Sequence, residues 1–250
     1  MSLRNVTIVF LVLAASRIAA AQGKAQQRGH DGERAGVDRQ ANGTAHVEPT
    51  VGVSPMEQRQ RARLQQQRAA EYGRQLVQQV RAMQQQIAQL QQQHRMAQFR
   101  AQQEYGAQLR KQQQVLVATR NYAADPFVTA PYLYRYVANG ANRQTNLYGA
   151  EALRQAVRNG YAQGYSAGQA DKQDHSASNY ESTFAYRDAN YGYLGRDVDQ
   201  SDYNFYFRQG LQRGYEDGFT HRSQYGTVSN GTPTVMAALQ SRIIALQPVR

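Results

Sequence analysis

The chain of 250 residues has no cysteine. Disulfide staples and a lipid-modified cysteine are both excluded, so stability has to come from packing. Its five histidines are scattered without the spacing that metal ligands share, and no metal or other cofactor is expected. No Gly-Lys-Ser/Thr follows any of its glycines, which excludes a phosphate-cradling loop of the nucleotide-binding kind. Acidic residues are also scarce: 18 Asp and Glu stand against 29 Lys and Arg, a formal charge of +11. After the first fifteen residues no apolar run approaches the ~20 residues a membrane-spanning helix needs.

That one early run reads as an export signal. Arg4 gives a positive start, Val6 to Ala15 is apolar apart from Thr7, and Ala19-Ala20-Ala21 presents small residues ahead of Gln22. Charge, short apolar core and small-residue exit in that order suit a signal peptidase. The expectation is cleavage after Ala21 and a secreted or periplasmic protein, with no transmembrane segment in the mature chain. Residues 22–54 are rich in Gly, Ala, Gln and balanced charge, and are expected as a disordered linker.

The charge excess is local. Residues 55–118 hold ten basic and three acidic side chains, and the other 22–231 stretches balance. The same segment contains 22 glutamines and no proline after Pro55. Ser54-Pro55-Met56-Glu57 is a helix start, with a capping serine, proline in the first turn and an acid at the third position. Leu76, Val80, Met83, Ile87 and Leu90 then alternate in steps of four and three, the seam of a coiled coil. This predicts one helix over 55–118, roughly 96 Å long, that self-associates into a homo-oligomer. His94 falls on the seam, where it is expected to set register. A glutamine-rich disordered tract is the alternative.

Near Thr119 the composition changes. Fifteen of the 17 tyrosines lie between Tyr122 and Tyr225, interleaved with glycine. Ala124-Asp125-Pro126 and Ala130-Pro131 read as an extended connector, Asn139-Gly140 as a turn, and residues 232–250 as a short helix capped at Thr232-Pro233. Within 119–231 a segment repeats after fifty residues without a gap. In the first copy Gly160, Gly164 and Gly168 run beside Tyr161 and Tyr165; in the second Gly210, Gly214 and Gly218 run beside Tyr215 and Phe219. A period of four puts both rows on nearly one helix face. Each glycine costs a helix about 1 kcal/mol relative to alanine, which close helix–helix approach would offset. The expected fold class is mainly α: the long helix, then a small two-repeat domain packed through GxxxGxxxG faces. An irregular Gly/Tyr loop is the alternative.

The run Tyr148-Gly149-Ala150, Leu153-Arg154, Gly160-Tyr161, Tyr186 through Tyr193 and the second repeat resembles secreted bacterial proteins carrying paired Gly/Tyr repeats, over residues 145–226. The resemblance implies export and two repeats, and implies no activity.

Gly164-Tyr165-Ser166-Ala167-Gly168 fits the G-x-S-x-G elbow of serine hydrolases, and Asp202 and His221 follow in order. The elbow needs a buried strand ahead of it, whereas Leu153 to Asn159 reads as a polar helix. Asp197, Asp199 and Ser201 resemble the opening of a calcium loop, but its required glycine and glutamate positions hold Asp202 and Arg208. A helix cap at Asp199 or Ser201 is the simpler reading. The sequence therefore points to a non-enzymatic structural or interaction protein outside the cytoplasm. The alternatives are a binding module for a glycan, a peptide or an anionic envelope surface, and, remotely, a hydrolase using Ser166. Nucleic acid is not expected as a partner.

Overall fold

The computed structural model describes residues 52–118 and 121–249; the expected export signal, its expected cleavage point and most of the expected linker lie outside the described residues. Ser54 starts the first helix as the sequence requires: its hydroxyl accepts the Glu57 N–H at 3.3 Å, with Pro55 in the first turn. Helix α1 spans Pro55–Gln92 and α2 spans Met96–Ala118. The expected continuous helix is thus two helices. His94 adopts a left-handed φ of 58°, and the Arg95 N–H closes the end of α1 on the Leu90 carbonyl at 3.0 Å. The Asp174 carboxylate then takes the free N–H groups of Ala97 and Gln98 at 2.9 and 2.8 Å, and Arg95 reaches Asp171 at 2.6 Å. Helix starts leave donors unpaired, and a distant carboxylate satisfies these. No local residue announces the break.

The chain then folds back, so α2 lies antiparallel along α1, with Met83 against Gly106 and the Gln112 amide on the Tyr72 hydroxyl at 2.6 Å. After a 3-10 turn (Tyr122–Ala124), Asp125 caps the one-turn helix α3 (Pro126–Thr129) by accepting the Phe127 N–H at 3.0 Å. The connector expected to be extended is therefore partly helical. Strands β1 (Tyr134–Ala138) and β2 (Ala141–Thr145) pair antiparallel across Asn139-Gly140. Both turn residues have positive φ, 51° and 77°, the backbone of a type I′ hairpin.

Helix α4 (Leu147–Gln173) starts at Asn146, whose side chain accepts the Tyr148 and Gly149 N–H groups. A long crossover carries the short helix α5 (Phe184–Asp188) and leads to α6 (Gln200–Thr220). Asp199 occupies the cap position of α6 but gives its carboxylate to Arg68 of α1 instead. A second hairpin, β3 (Gly226–Ser229) and β4 (Thr232–Val235), turns through Asn230-Gly231. Thr232-Pro233, expected to open a helix, lies in this strand because the preceding turn pairs it with Val228 and Ser229. Helix α7 begins later, at Ala237, and runs to Ile244; β5 (Gln247–Pro248) then joins β1 and completes a sheet of order β2-β1-β5.

The mainly α expectation holds for the described residues. The core they share is aromatic: Tyr72, Tyr161, Tyr193, Tyr203, Tyr206, Tyr215 and Phe207 are all sealed from solvent. It draws on both hairpin helices as well as on α4, α6 and the strands.

Candidate functional site

The two glycine rows meet. Gly160, Gly164 and Gly168 of α4 approach the backbone at Phe207, Leu211 and Tyr215, and Gly210, Gly214 and Gly218 of α6 approach that at Val157, Tyr161 and Tyr165. Both series ascend together, so the helices run parallel and in register. A helical hairpin would be antiparallel; the crossover between residues 174 and 199 allows the parallel arrangement. A β-carbon on Gly164 would sit 2.8 Å from both the Leu211 carbonyl carbon and the Tyr215 nitrogen, closer than van der Waals contact permits. In each of the six cases the facing atom is a carbonyl oxygen, the geometry of a reciprocal Cα–H···O ladder.

The aromatic row closes the flanks. Tyr161 and Tyr215 are buried, while Tyr165 and Phe219 are half-buried at the end of the row. Tyr215 and Phe219 stack at 5.9 Å, and the Lys172 ammonium lies over Phe219. The Tyr161 hydroxyl donates to Asp217 of α6 at 2.7 Å, and the Tyr215 hydroxyl donates to Asp171 of α4 at 2.7 Å. Each helix gives one phenol and takes one. Tyr136 with Asp202 (2.8 Å) and Tyr105 with Asp188 (2.5 Å) repeat the pairing elsewhere in the core. Burial, reinforced by the neighbouring carboxylate, pushes all four phenols well above their usual range and keeps them protonated as donors. Asp217 further accepts the N–H groups of Gln224, Tyr225 and Gly226, fixing the chain as it leaves α6.

The coiled-coil seam faces inward. Leu76, Met83 and Leu90 are buried and Val80 and Ile87 half-buried, against α2 and the tyrosine core of the same chain. The stripe expected as an oligomer seam is thus covered within the chain, by α2 and the tyrosine core. The reversal at His94 brings that cover from the same chain. His94 shapes the turn rather than the register.

Ser166 stands in the middle of α4, its hydroxyl donating to the Ala162 carbonyl at 3.2 Å. The strand-to-helix elbow that strains and exposes a hydrolase serine does not exist at this position. Asp197 lies in a left-handed conformation (φ 70°), with one carboxylate oxygen buried and unpartnered. Burial, with a contribution from Asp125, pushes its pKa up to about 6. Among the described residues no group of three or more His, Cys, Asp and Glu could hold a metal ion.

Two of the concave surfaces among the described residues carry a pair of arginines. One is a groove of about 620 Å³ along the start of α1, edged by Arg59 and Arg63 and reaching Tyr122. The other, of about 660 Å³, opens where β1 and β2 meet α6 and the end of α7. Arg135, Arg143, Gln144 and Gln247 line it beside Phe205 and Ile243. Arg143 is held by its Nε, 3.5 Å from the fully buried Asp202 carboxylate, which also accepts the Tyr136 hydroxyl.

Sequence reasoning missed the buried carboxylates and both cleft arginines. For Asp171 and Asp217 a signal exists: each follows a row glycine, Gly168 or Gly214, by three residues, which sets an acid on an otherwise apolar helix face. The arginines carry no such mark, because the cleft is assembled from three separate stretches of chain. The chain matches no protein-family model, no curated protein and no solved structure.

Proposed function

We propose that this chain is exported and acts outside the cytoplasm as a non-enzymatic structural or interaction protein. Its parallel glycine-faced helix pair is the rigid element of a two-repeat domain, and the glutamine-rich hairpin is clamped to it. The observation that carries this reading is where the reactive side chains go. Four core phenols, the carboxylates they donate to and Ser166 are engaged with one another or with backbone, while Arg63, Arg74, Arg81 and Arg100 stand exposed on the hairpin without an acidic partner among the described residues. Such an arrangement suits recognition of a partner more than turnover. Export is supported by the order of charge, apolar core and small residues in 1–21, and by the resemblance to secreted Gly/Tyr-repeat proteins.

Expression of the full chain in a bacterial host, followed by fractionation and intact-mass measurement, tests the export half. A product outside the cytoplasm with the mass of residues 22–250 is expected; full-length protein retained inside the cell would overturn it. For the non-enzymatic half, a fluorophosphonate probe should leave the protein unlabelled. Labelling that disappears in Ser166→Ala would restore the hydrolase.

A second reading, a binding module, is favoured by the arginine-lined cleft.

A further inference from the structure

We propose that the cleft between the β1–β2 hairpin, α6 and α7 binds a carboxylate-bearing saccharide, a uronate-type glycan. The inference rests on the interaction reading above and is independent of export. The cleft's volume, about 660 Å³, lies within the roughly 300–1,000 Å³ that ligand sites occupy and exceeds the needs of a single sugar ring.

Its charge is positive and partly uncommitted. Arg135 makes no ion pair among the described residues. Arg143 is tethered through Nε alone, which leaves its two terminal nitrogens as a fork for a planar anion. The tether is itself built. Asp202 is buried, is paired with Tyr136 and Arg143, and holds the guanidinium where a free surface arginine would wander.

The remaining lining separates a sugar acid from a simple anion. Asn142, Gln144 and Gln247 offer amides, each with donors and an acceptor. A sulfate ion only accepts hydrogen bonds and would leave the amide oxygens unused, and a hydrogen phosphate has only one or two donors to offer; the several hydroxyl groups of a sugar donate and accept, and so use both ends. Phe205 and Ile243 supply an apolar wall for the C–H face of a sugar ring. Val137, also in the lining, pairs with Asn142 of β2 on one side; β5 does not reach it on the other, where its carbonyl accepts the Tyr206 hydroxyl at 2.8 Å.

The test is calorimetric titration of the full mature chain with trigalacturonate, maltotriose and inorganic phosphate as separate probes. Saturable one-to-one binding of trigalacturonate is expected, with maltotriose and phosphate at least about tenfold weaker. Arg135→Gln and Arg143→Gln should each weaken trigalacturonate at least about tenfold, the size of one lost charge-assisted hydrogen bond. Arg63→Gln, on the outer face of α1, should leave it unchanged. Should Arg143→Gln unfold because Asp202 loses its cationic partner, Arg135→Gln decides alone, since Arg135 makes no ion pair among the described residues. The proposal is overturned if trigalacturonate does not saturate, if Arg63→Gln weakens it as much as Arg135→Gln, or if phosphate or maltotriose binds equally well. None of those results bears on the mature mass or on the fluorophosphonate readout, so the general reading would stand or fall separately.

Discussion

The two helix pairs of this protein are held together in opposite ways. Helices α4 and α6 meet backbone to backbone across six glycines, and α1 and α2 meet through side chains, several of them glutamine. Glycine costs the first pair about 1 kcal/mol per residue in helix propensity. Cα–H···O contacts of about 0.5–1 kcal/mol each, with tyrosines sealing the flanks, offset much of that. In the second pair Gln112 is fully used, donating to Tyr72, Asn190 and Tyr193 and accepting from Gly192. Gln65 is equally buried, yet neither end of its amide has a partner. The glycine pair is close-fitting and intolerant; the glutamine pair contains slack.

The largest effect should come from Asp217. Replacing it with alanine strands four donors at the end of α6, and Asp217→Ala should lose more than about 3 kcal/mol in denaturant unfolding. A loss below about 1 kcal/mol would mean that the carboxylate is not what anchors the pair.

Next comes the glycine face itself. Gly164→Ala forces a methyl against the backbone of Leu211 and Tyr215, neither of which can yield without moving the helix. The overpacking, typically 1–3 kcal/mol and sometimes more, exceeds the gain of about 1 kcal/mol in propensity. A net loss of about 2 kcal/mol is expected. Gly214→Ala should behave alike, and the double variant should be non-additive, because one separation of the helices accommodates both methyls. Simple additivity with a gain in stability would show that the rows do not touch.

In the glutamine pair the sign should reverse. Gln65→Leu replaces an unsatisfied buried amide by an apolar side chain of similar length, and should stabilise by about 1–2 kcal/mol. If it destabilises, the amide has a partner in solution and the slack is not real.

The joint between the two pairs should respond to pH through Asp197. The loop holding Asp197 touches Ala69 of α1 through Gly195. A folded-state pKa pushed up to about 6, from 3.8, means that the folded protein holds the proton more tightly than the unfolded chain does. The contribution of this carboxyl to stability is full below about pH 4 and is lost as pH rises through 6. Asp197→Asn, which tolerates the left-handed backbone, should therefore raise the melting temperature at pH 7 and change it little at pH 4. Equal shifts at both pH values would refute the assignment.

The smallest change completes the comparison. Gly73 of α1 has nothing within 4 Å of its would-be β-carbon, so Gly73→Ala should stabilise by just under ~1 kcal/mol. Gly106, whose β-carbon would meet the flexible end of Met83 and, at 3.7 Å, the end of Arg110, should fall near zero. The same substitution thus spans loss, neutrality and gain, according to what faces the glycine.

The amino-acid sequence by itself determined the local features. The Ser54 cap, the Asn139-Gly140 turn, the helical periods and the faces on which glycine and tyrosine fall all follow from propensity and spacing over a few residues, and the structure contains them. The in-register repeat even implied which glycines would be neighbours. Tertiary structure decided whatever depends on a distant partner. The break at His94 is fixed by Asp171 and Asp174, more than seventy residues away in sequence. Whether the Leu76–Leu90 stripe meets a second chain or its own depends on that break, because a periodic apolar face specifies burial without naming what covers it. The parallel direction of α4 and α6 rests on the long crossover. The cleft exists only where three segments converge, and one of its arginines, Arg143, unremarkable along the chain, is placed by a carboxylate that the core keeps dry.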